Sequence, residues 1–176
     1  MKIFPLALLI LSLCSVSQAL TSGNILYAEN FTSVQTAMNS CQSISTQSPI
    51  SGGTKGCIVY ATANTVNLNL GTLDPGANTI PITLILGPFD FTAAQIVMRA
   101  DFRIFGSGSN HTSITSNDAS KNLIVFPQLN NTAITGVAIK DIHFIGAAGN
   151  TSQEGLSIDV SNLTTSQFSY TRTLRT

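Results

Sequence analysis

The sequence has no tryptophan, and only 9% of its 176 residues are Asp, Glu, Lys or Arg, with a formal net charge of zero. A protein that grips nucleic acid needs a concentrated basic surface to displace counterions from phosphates. Eight Lys and Arg balanced by eight Asp and Glu do not supply one, so nucleic acid is excluded as a partner, and an anionic membrane has no electrostatic claim either. Cysteine is also sparse. Cys41 and Cys57 stand far from His111 and His143 and lack zinc-ligand spacing, so neither a metal nor a cofactor is expected. The shortage of charge is not a disorder signature, because a hydrophobic content of 43% is ample for a core.

The first nineteen residues read as a secretory signal peptide. Lys2 gives a positive start, Phe4 to Leu13 is an apolar run too short to span a bilayer comfortably, and Ser17-Gln18-Ala19 offers small residues for cleavage. The mature chain is then secreted or extracytoplasmic, with no transmembrane segment. An alternative uses Leu11-Ser12-Leu13-Cys14 as a lipoprotein signal that anchors the chain through an acylated Cys14, although Leu13 fits poorly where a small residue is needed. In an oxidising compartment the remaining pair, Cys41 and Cys57, is most simply a disulfide, worth roughly 3 kcal/mol in the chain-entropy model; two buried thiols are the other reading. Five sequons begin at Asn30, Asn110, Asn130, Asn150 and Asn162. In a eukaryotic secretory pathway these are candidate glycosylation sites on the surface, whereas in an Asn- and Thr-rich bacterial chain they arise from composition.

Ile96 to Gly146 shows an internal period. Ile104, Ile124 and Phe144 lie twenty residues apart, as do Ile114 and Ile134, each in a Thr-x-Ile-Thr setting. At twice that spacing Asp101-Phe102-Arg103-Ile104-Phe105-Gly106 aligns with Asp141-Ile142-His143-Phe144-Ile145-Gly146. A period near twenty points to stacked coils of strand, a solenoid. Alternation places Met98, Ala100, Phe102 and Ile104 inward, with Arg99, Asp101 and Arg103 outward; the same register puts Ile142 and Phe144 inward, with Asp141 and His143 outward. Further strands are expected at Cys57 to Tyr60, Thr79 to Leu86, Phe89 to Thr92 and Leu156 to Val160, with turns at Ser51-Gly52-Gly53 and Asp74-Pro75-Gly76. Residues 30–41 read as a helix with a capping box from Thr32 to Gln35 and one apolar stripe of Val34, Ala37, Met38 and Cys41, suited to lie over the first coil. A β-sandwich is the competing fold; the spacing and the lack of tryptophan argue against it.

The helix Ser33 to Cys41, the Gly-Gly turn leading to Ile58-Val59-Tyr60, and Phe102-Arg103-Ile104-Phe105-Gly106-Ser107-Gly108 resemble the opening of proteins of the pectate-lyase-like superfamily. The resemblance covers roughly Tyr27 to Asp159. It implies an all-β fold, a right-handed parallel β-helix with an N-terminal capping α-helix. The domain then runs over residues 20–176, with the cap at 30–41, coils from about 55 to 160 and an irregular tail at 161–176. Related enzymes continue for further coils, so a chain truncated at its C-terminus is expected, and no catalytic position carries over. A proline-glycine turn common after the first strand in relatives is replaced here by Ala61-Thr62-Ala63-Asn64.

From the residues themselves, the candidate chemistry is the outward ladder of Arg99, Asp101, Arg103, Asp141 and His143. In the expected register Asp101 and Asp141 lie two coils, or roughly 10 Å, apart, near the separation of about 6.5–9.5 Å used by inverting glycosidases. The plainer reading is a solvated face with ion pairs each worth under about 1 kcal/mol. Gly106-Ser107-Gly108 is not a phosphate loop, since strand and turn, not a helix, follow it. The resemblance implies a secreted protein that binds or processes an extracellular polysaccharide, as a lyase or glycoside hydrolase if it is an enzyme. The alternative is a non-catalytic adhesion or structural β-solenoid.

Overall fold

Alternating apolar and polar residues write a series of short strands, and the computed structural model shows where they go. It describes residues 25–44, 56–62, 68–76, 80–127, 134, 136–147 and 156–158. The expected signal peptide, the Cys14 anchor, the Ser51-Gly52-Gly53 turn, residues 149–155 and the tail lie outside these, as do the sequons at Asn130, Asn150 and Asn162. Twelve strands are described: β1 (Ile25–Tyr27), β2 (Cys57–Ala61), β3 (Thr72–Leu73), β4 (Ile82–Leu86), β5 (Asp90–Ala93), β6 (Gln95–Val97), β7 (Phe102–Phe105), β8 (Ser113–Ser116), β9 (Ile124–Phe126), β10 (Ala138–Lys140), β11 (His143–Ile145) and β12 (Leu156–Ile158). A helix, α1 (Val34–Ile44), follows β1 after a single 3-10 turn.

The strands form three parallel sheets. Sheet A has the order β1-β2-β4-β7-β10, sheet B β5-β8-β11 and sheet C β3-β6-β9-β12. From β4 to β12 the chain visits A, B and C in strict rotation three times. Parallel pairing throughout disposes of the sandwich alternative, whose sheets are antiparallel. A parallel strand must find its partner after a crossover, and from β4 onward each crossover carries one strand of each of the other two sheets, whereas α1 lies between β1 and β2.

Inward positions form ladders. In sheet A, Leu26, Val59, Leu84, Ile104 and Ile139 pair rung to rung, and the first four are at most 1% exposed. Phe91, Ile114 and Phe144 do the same in sheet B, and Leu73, Ile96 and Ile124 in sheet C. These residues meet in one core. Burying each large aliphatic or aromatic side chain contributes on the order of 2 kcal/mol. Leu70 and Leu73 of that core, with strand β3, come from the stretch just before the Asp-Pro-Gly turn, where no strand was expected.

The expected period of twenty holds for one step, Leu84 to Ile104. Elsewhere the rung length differs: Val59 pairs with Leu84, Ile104 with Ile139, Ile114 with Phe144 and Ile96 with Ile124. Ile104, Ile124 and Phe144, equally spaced in sequence, therefore lie in three different sheets. The strand alternation survives this correction within each segment: Met98, Phe102 and Ile104 are buried and Ile142 and Phe144 pack on the core. Ala100 is the exception, since it lies in the exposed turn before β7 rather than in the strand.

Helix α1 buries its stripe as the periodicity requires: Val34, Ala37, Met38 and Cys41 are at most 1% exposed. Its N-terminus begins one residue later than a cap at Thr32 would place it, because Ser33 is the cap and its hydroxyl accepts the Thr36 N–H at 3.0 Å. Gln35, expected to close a capping box, instead turns to the loop after β3. Its amide oxygen accepts the Asp74 N–H and its amide nitrogen donates to the Asp74 carbonyl, both at 2.8 Å, in the manner of one more backbone strand. The Cys41–Cys57 disulfide joins the helix to β2, with Cα atoms 5.7 Å apart.

Asp74 gathers this corner. Its carboxylate receives a forked pair from Arg99, Nε at 2.6 Å and Nη2 at 2.9 Å, and accepts the Gly76 N–H at 2.8 Å within the Asp-Pro-Gly turn. The hydrogen bond from Arg99 is the main cause holding the Asp74 carboxyl below its ordinary range, reinforced by Gly76 and opposed by partial burial; Arg99 is raised in turn by Asp74.

Two outcomes test this account. Replacing Cys41 and Cys57 together by serine should lower stability by roughly 3 kcal/mol, read as the denaturant midpoint against the oxidised chain; an unchanged midpoint would mean that the helix is not held through this bond. Because the Asp74 carboxyl is depressed on folding, its contribution is present above about pH 4 and is lost as pH falls through the folded value. Asp74→Asn, which keeps an oxygen for Gly76, should therefore cost under about 1 kcal/mol at pH 7, given that the pair is one-third exposed, and the difference from the parent should vanish in acid.

Candidate functional site

Successive residues of a strand point to opposite faces, so a sheet that buries one ladder must display the alternate one. On sheet A the displayed residues form two columns. One is Ile25, Ile58, Thr83, Arg103 and Ala138; the other is Tyr27, Tyr60, Ile85, Phe105 and Lys140. The second column is notable for its rings. Tyr27 is 39% exposed and stacks on Tyr60 with centroids 5.6 Å apart and planes 21° from parallel. Phe105 lies two strands beyond Tyr60, about 10 Å on at ordinary strand spacing. Arg103 and Lys140 are the charges in these columns, both positive; Arg103 is steadied by donating Nε–H to the Gly136 carbonyl at 3.0 Å. The result is a flat apolar strip, aromatic at one end and cationic at the other.

Sheet B offers a different surface. Asp90, Ser113 and His143 occupy one register position on three neighbouring strands, and the Ser113 hydroxyl donates to the Asp90 carboxylate at 2.6 Å. With Asn110, His111 and Thr112 they line an open depression of about 290 Å³. Serine, histidine and aspartate invite comparison with a nucleophilic triad, but the order is wrong. A triad needs the serine proton aimed at the imidazole and the carboxylate on the far side of that imidazole. Here the hydroxyl stands between the other two and gives its proton to the carboxylate. Among the described residues there is also no group of three His, Cys, Asp or Glu placed to hold a metal ion.

The five residues expected to form one outward ladder are dispersed. Arg99 is committed to Asp74. Asp101 sits in the turn before β7 with φ at 58°, its carboxylate against the α-carbon of Gly136. Asp141 occupies the turn before β11 with φ at 59°, and its carbonyl accepts the Gly108 N–H at 3.2 Å. Arg103 belongs to sheet A and His143 to sheet B. Asp101 and Asp141 thus precede strands of different sheets, and the two-coil separation inferred from the period does not apply. The likeness of the two segments is nonetheless structural, since each is a left-handed aspartate, a strand and a glycine. Gly106 is needed for close approach: a Cβ there would strike the Asp141 carbonyl oxygen.

Tyr27, Tyr60, Phe105 and Asp90 carry the two surfaces but did not stand out in the sequence. Each sits at an outward position of its strand. The signal that joins them is inter-strand register, which the unequal rung lengths conceal. Compared with protein-family models, with curated proteins and with solved structures, the chain matches none.

Proposed function

We propose that this chain is a right-handed parallel β-helix, capped by α1 at its first rung, and that it binds an extended extracellular polysaccharide along the outer face of sheet A. The observation that carries this reading is the column Tyr27-Tyr60-Ile85-Phe105-Lys140. The cyclic passage through three parallel sheets supports the solenoid, and right-handed crossovers are the rule for parallel strands. The apolar C–H faces of a pyranose ring pack on aromatic rings at little entropic cost, because a two-angle ring in a strand is already held. Arg103 and Lys140 complement carboxylate or sulfate groups, which favours an acidic polymer over a neutral one. Low overall charge is consistent with recognition by stacking more than by electrostatics.

The reading is of a binding protein and not a polymer-cleaving one. General acid-base cleavage needs paired groups on either side of one bond, and among the described residues the charges on the two outward columns of sheet A are Arg103 and Lys140, two cations with no carboxylate between them. Secretion is supported by the signal-like first nineteen residues and by the Cys41–Cys57 disulfide, and among the described residues no helix is long and apolar enough to cross a membrane.

Affinity electrophoresis of the secreted full chain through gels containing acidic or neutral polysaccharides is the test. Retardation by an acidic polymer is expected. Tyr60→Ala and Phe105→Ala should each weaken it on the order of 10-fold, the upper scale of a ring contact, and Lys140→Ala should weaken it only at low salt. Circular dichroism checks that the variants fold. Absence of retardation in every gel, or retardation that ignores Tyr60 and Phe105, would refute the reading.

A further inference from the structure

The turn between β7 and β8 contains the sequon Asn110-His111-Thr112, and the fold treats its two ends in opposite ways. Asn110 is exposed on the rim of the sheet B depression. Thr112 is 1% exposed, and every polar atom it has is engaged. Its hydroxyl donates to the Gly87 carbonyl at 2.8 Å and accepts the Ser107 N–H at 2.9 Å. Its own N–H donates to the Gly108 carbonyl at 2.8 Å, and its carbonyl accepts the His143 N–H at 2.9 Å. The sequon threonine is therefore the buried pin that closes the turn and ties it to the rungs on both sides.

Transfer of an N-glycan needs that same hydroxyl. The transferase reads the hydroxyl two residues beyond the acceptor asparagine and holds the tripeptide opened out, which the folded turn forbids. We propose that Asn110 is an N-glycan acceptor usable only before the 106–112 turn closes, so that its occupancy records a race between glycosylation and folding. In the step itself the Asn110 amide nitrogen forms a bond to the anomeric carbon of an oligosaccharide carried on a lipid pyrophosphate. The bond from that carbon to the phosphate oxygen breaks, the lipid pyrophosphate leaves with the electron pair, and the amide proton passes to a base of the transferase. Once attached, the glycan stands at the rim of the depression lined by Asp90, His111 and His143 and covers it, leaving the outer face of sheet A open.

The sequon at Asn30 supplies an internal contrast, since Asn30 and Thr32 are both exposed. The inference does not depend on any polysaccharide binding by sheet A. It is tested with the full chain made in a host without N-glycosylation, presented to microsomal transferase with a lipid-linked oligosaccharide donor in two forms. One is the folded, oxidised protein; the other is the reduced and carboxymethylated chain, shown by circular dichroism to be unfolded. Peptide mass mapping reads each site, with Asn110→Gln to confirm the assignment. Asn110 should be modified in the unfolded chain and slower by about 10-fold or more in the folded one, because the turn must first open. Equal rates at Asn110 in the two forms, or no modification of Asn110 in the unfolded chain, would overturn the proposal.

Discussion

The inward ladder of sheet A, from Leu26 through Val59, Leu84 and Ile104 to Ile139, is the contact on which the rest of the molecule depends. A single rung turns only a few apolar side chains inward, such as Ile82, Leu84 and Leu86 on β4, and cannot shield them from water. Stacking in parallel register solves two problems at once, burying those side chains against their counterparts above and below while pairing the backbone N–H and C=O groups of each rung with the next. Sheets B and C repeat the arrangement, and their inner faces meet that of sheet A in one core. Helix α1 lies against this stack, and the disulfide and the Gln35 amide hold it there by a covalent and a backbone-like link.

Such a stack tolerates wide variation at its corners. The strands keep their register while the chain between Leu84 and Ile104 is much shorter than that between Ile104 and Ile139. Surplus residues leave at the corners, where no ladder constrains them. Tight corners call for special backbone: Asp101 and Asp141 take the left-handed conformation, and Gly106 admits the passing carbonyl of Asp141. These aspartates looked like chemistry because acidic residues at a regular spacing suggest a site. Their short polar side chains also make them good corner residues, and the structure uses them in that way.

Function on such a scaffold falls to whatever the outward ladders display, because the interior is filled. The sheet A face offers rings in a row with two cations at one end, while the sheet B face offers small hydroxyl and imidazole groups around an open depression. The first suits a flat, extended ligand. The second is bordered by a turn whose sequon threonine is locked by folding, so the two faces present different chemistry.

The apolar stripe of the helix, the cysteine pair, most strands, the Asp-Pro-Gly turn and the inward choice of Phe102, Ile104, Ile142 and Phe144 were all legible in the sequence. Each follows from spacing over a few residues, where local periodicity and turn chemistry act. Which strand lies beside which was not legible, because rung length varies and a regular spacing in sequence, such as Ile104, Ile124 and Phe144, can scatter over three sheets. The same limit hid strand β3, the pairing of Arg99 with Asp74 and the column that aligns Tyr27, Tyr60 and Phe105. By itself the sequence determined the faces of its strands, since alternation is a property of the single chain. Only the tertiary structure decided which faces share a surface, because register is set by the packing of distant side chains and by how much chain each corner absorbs.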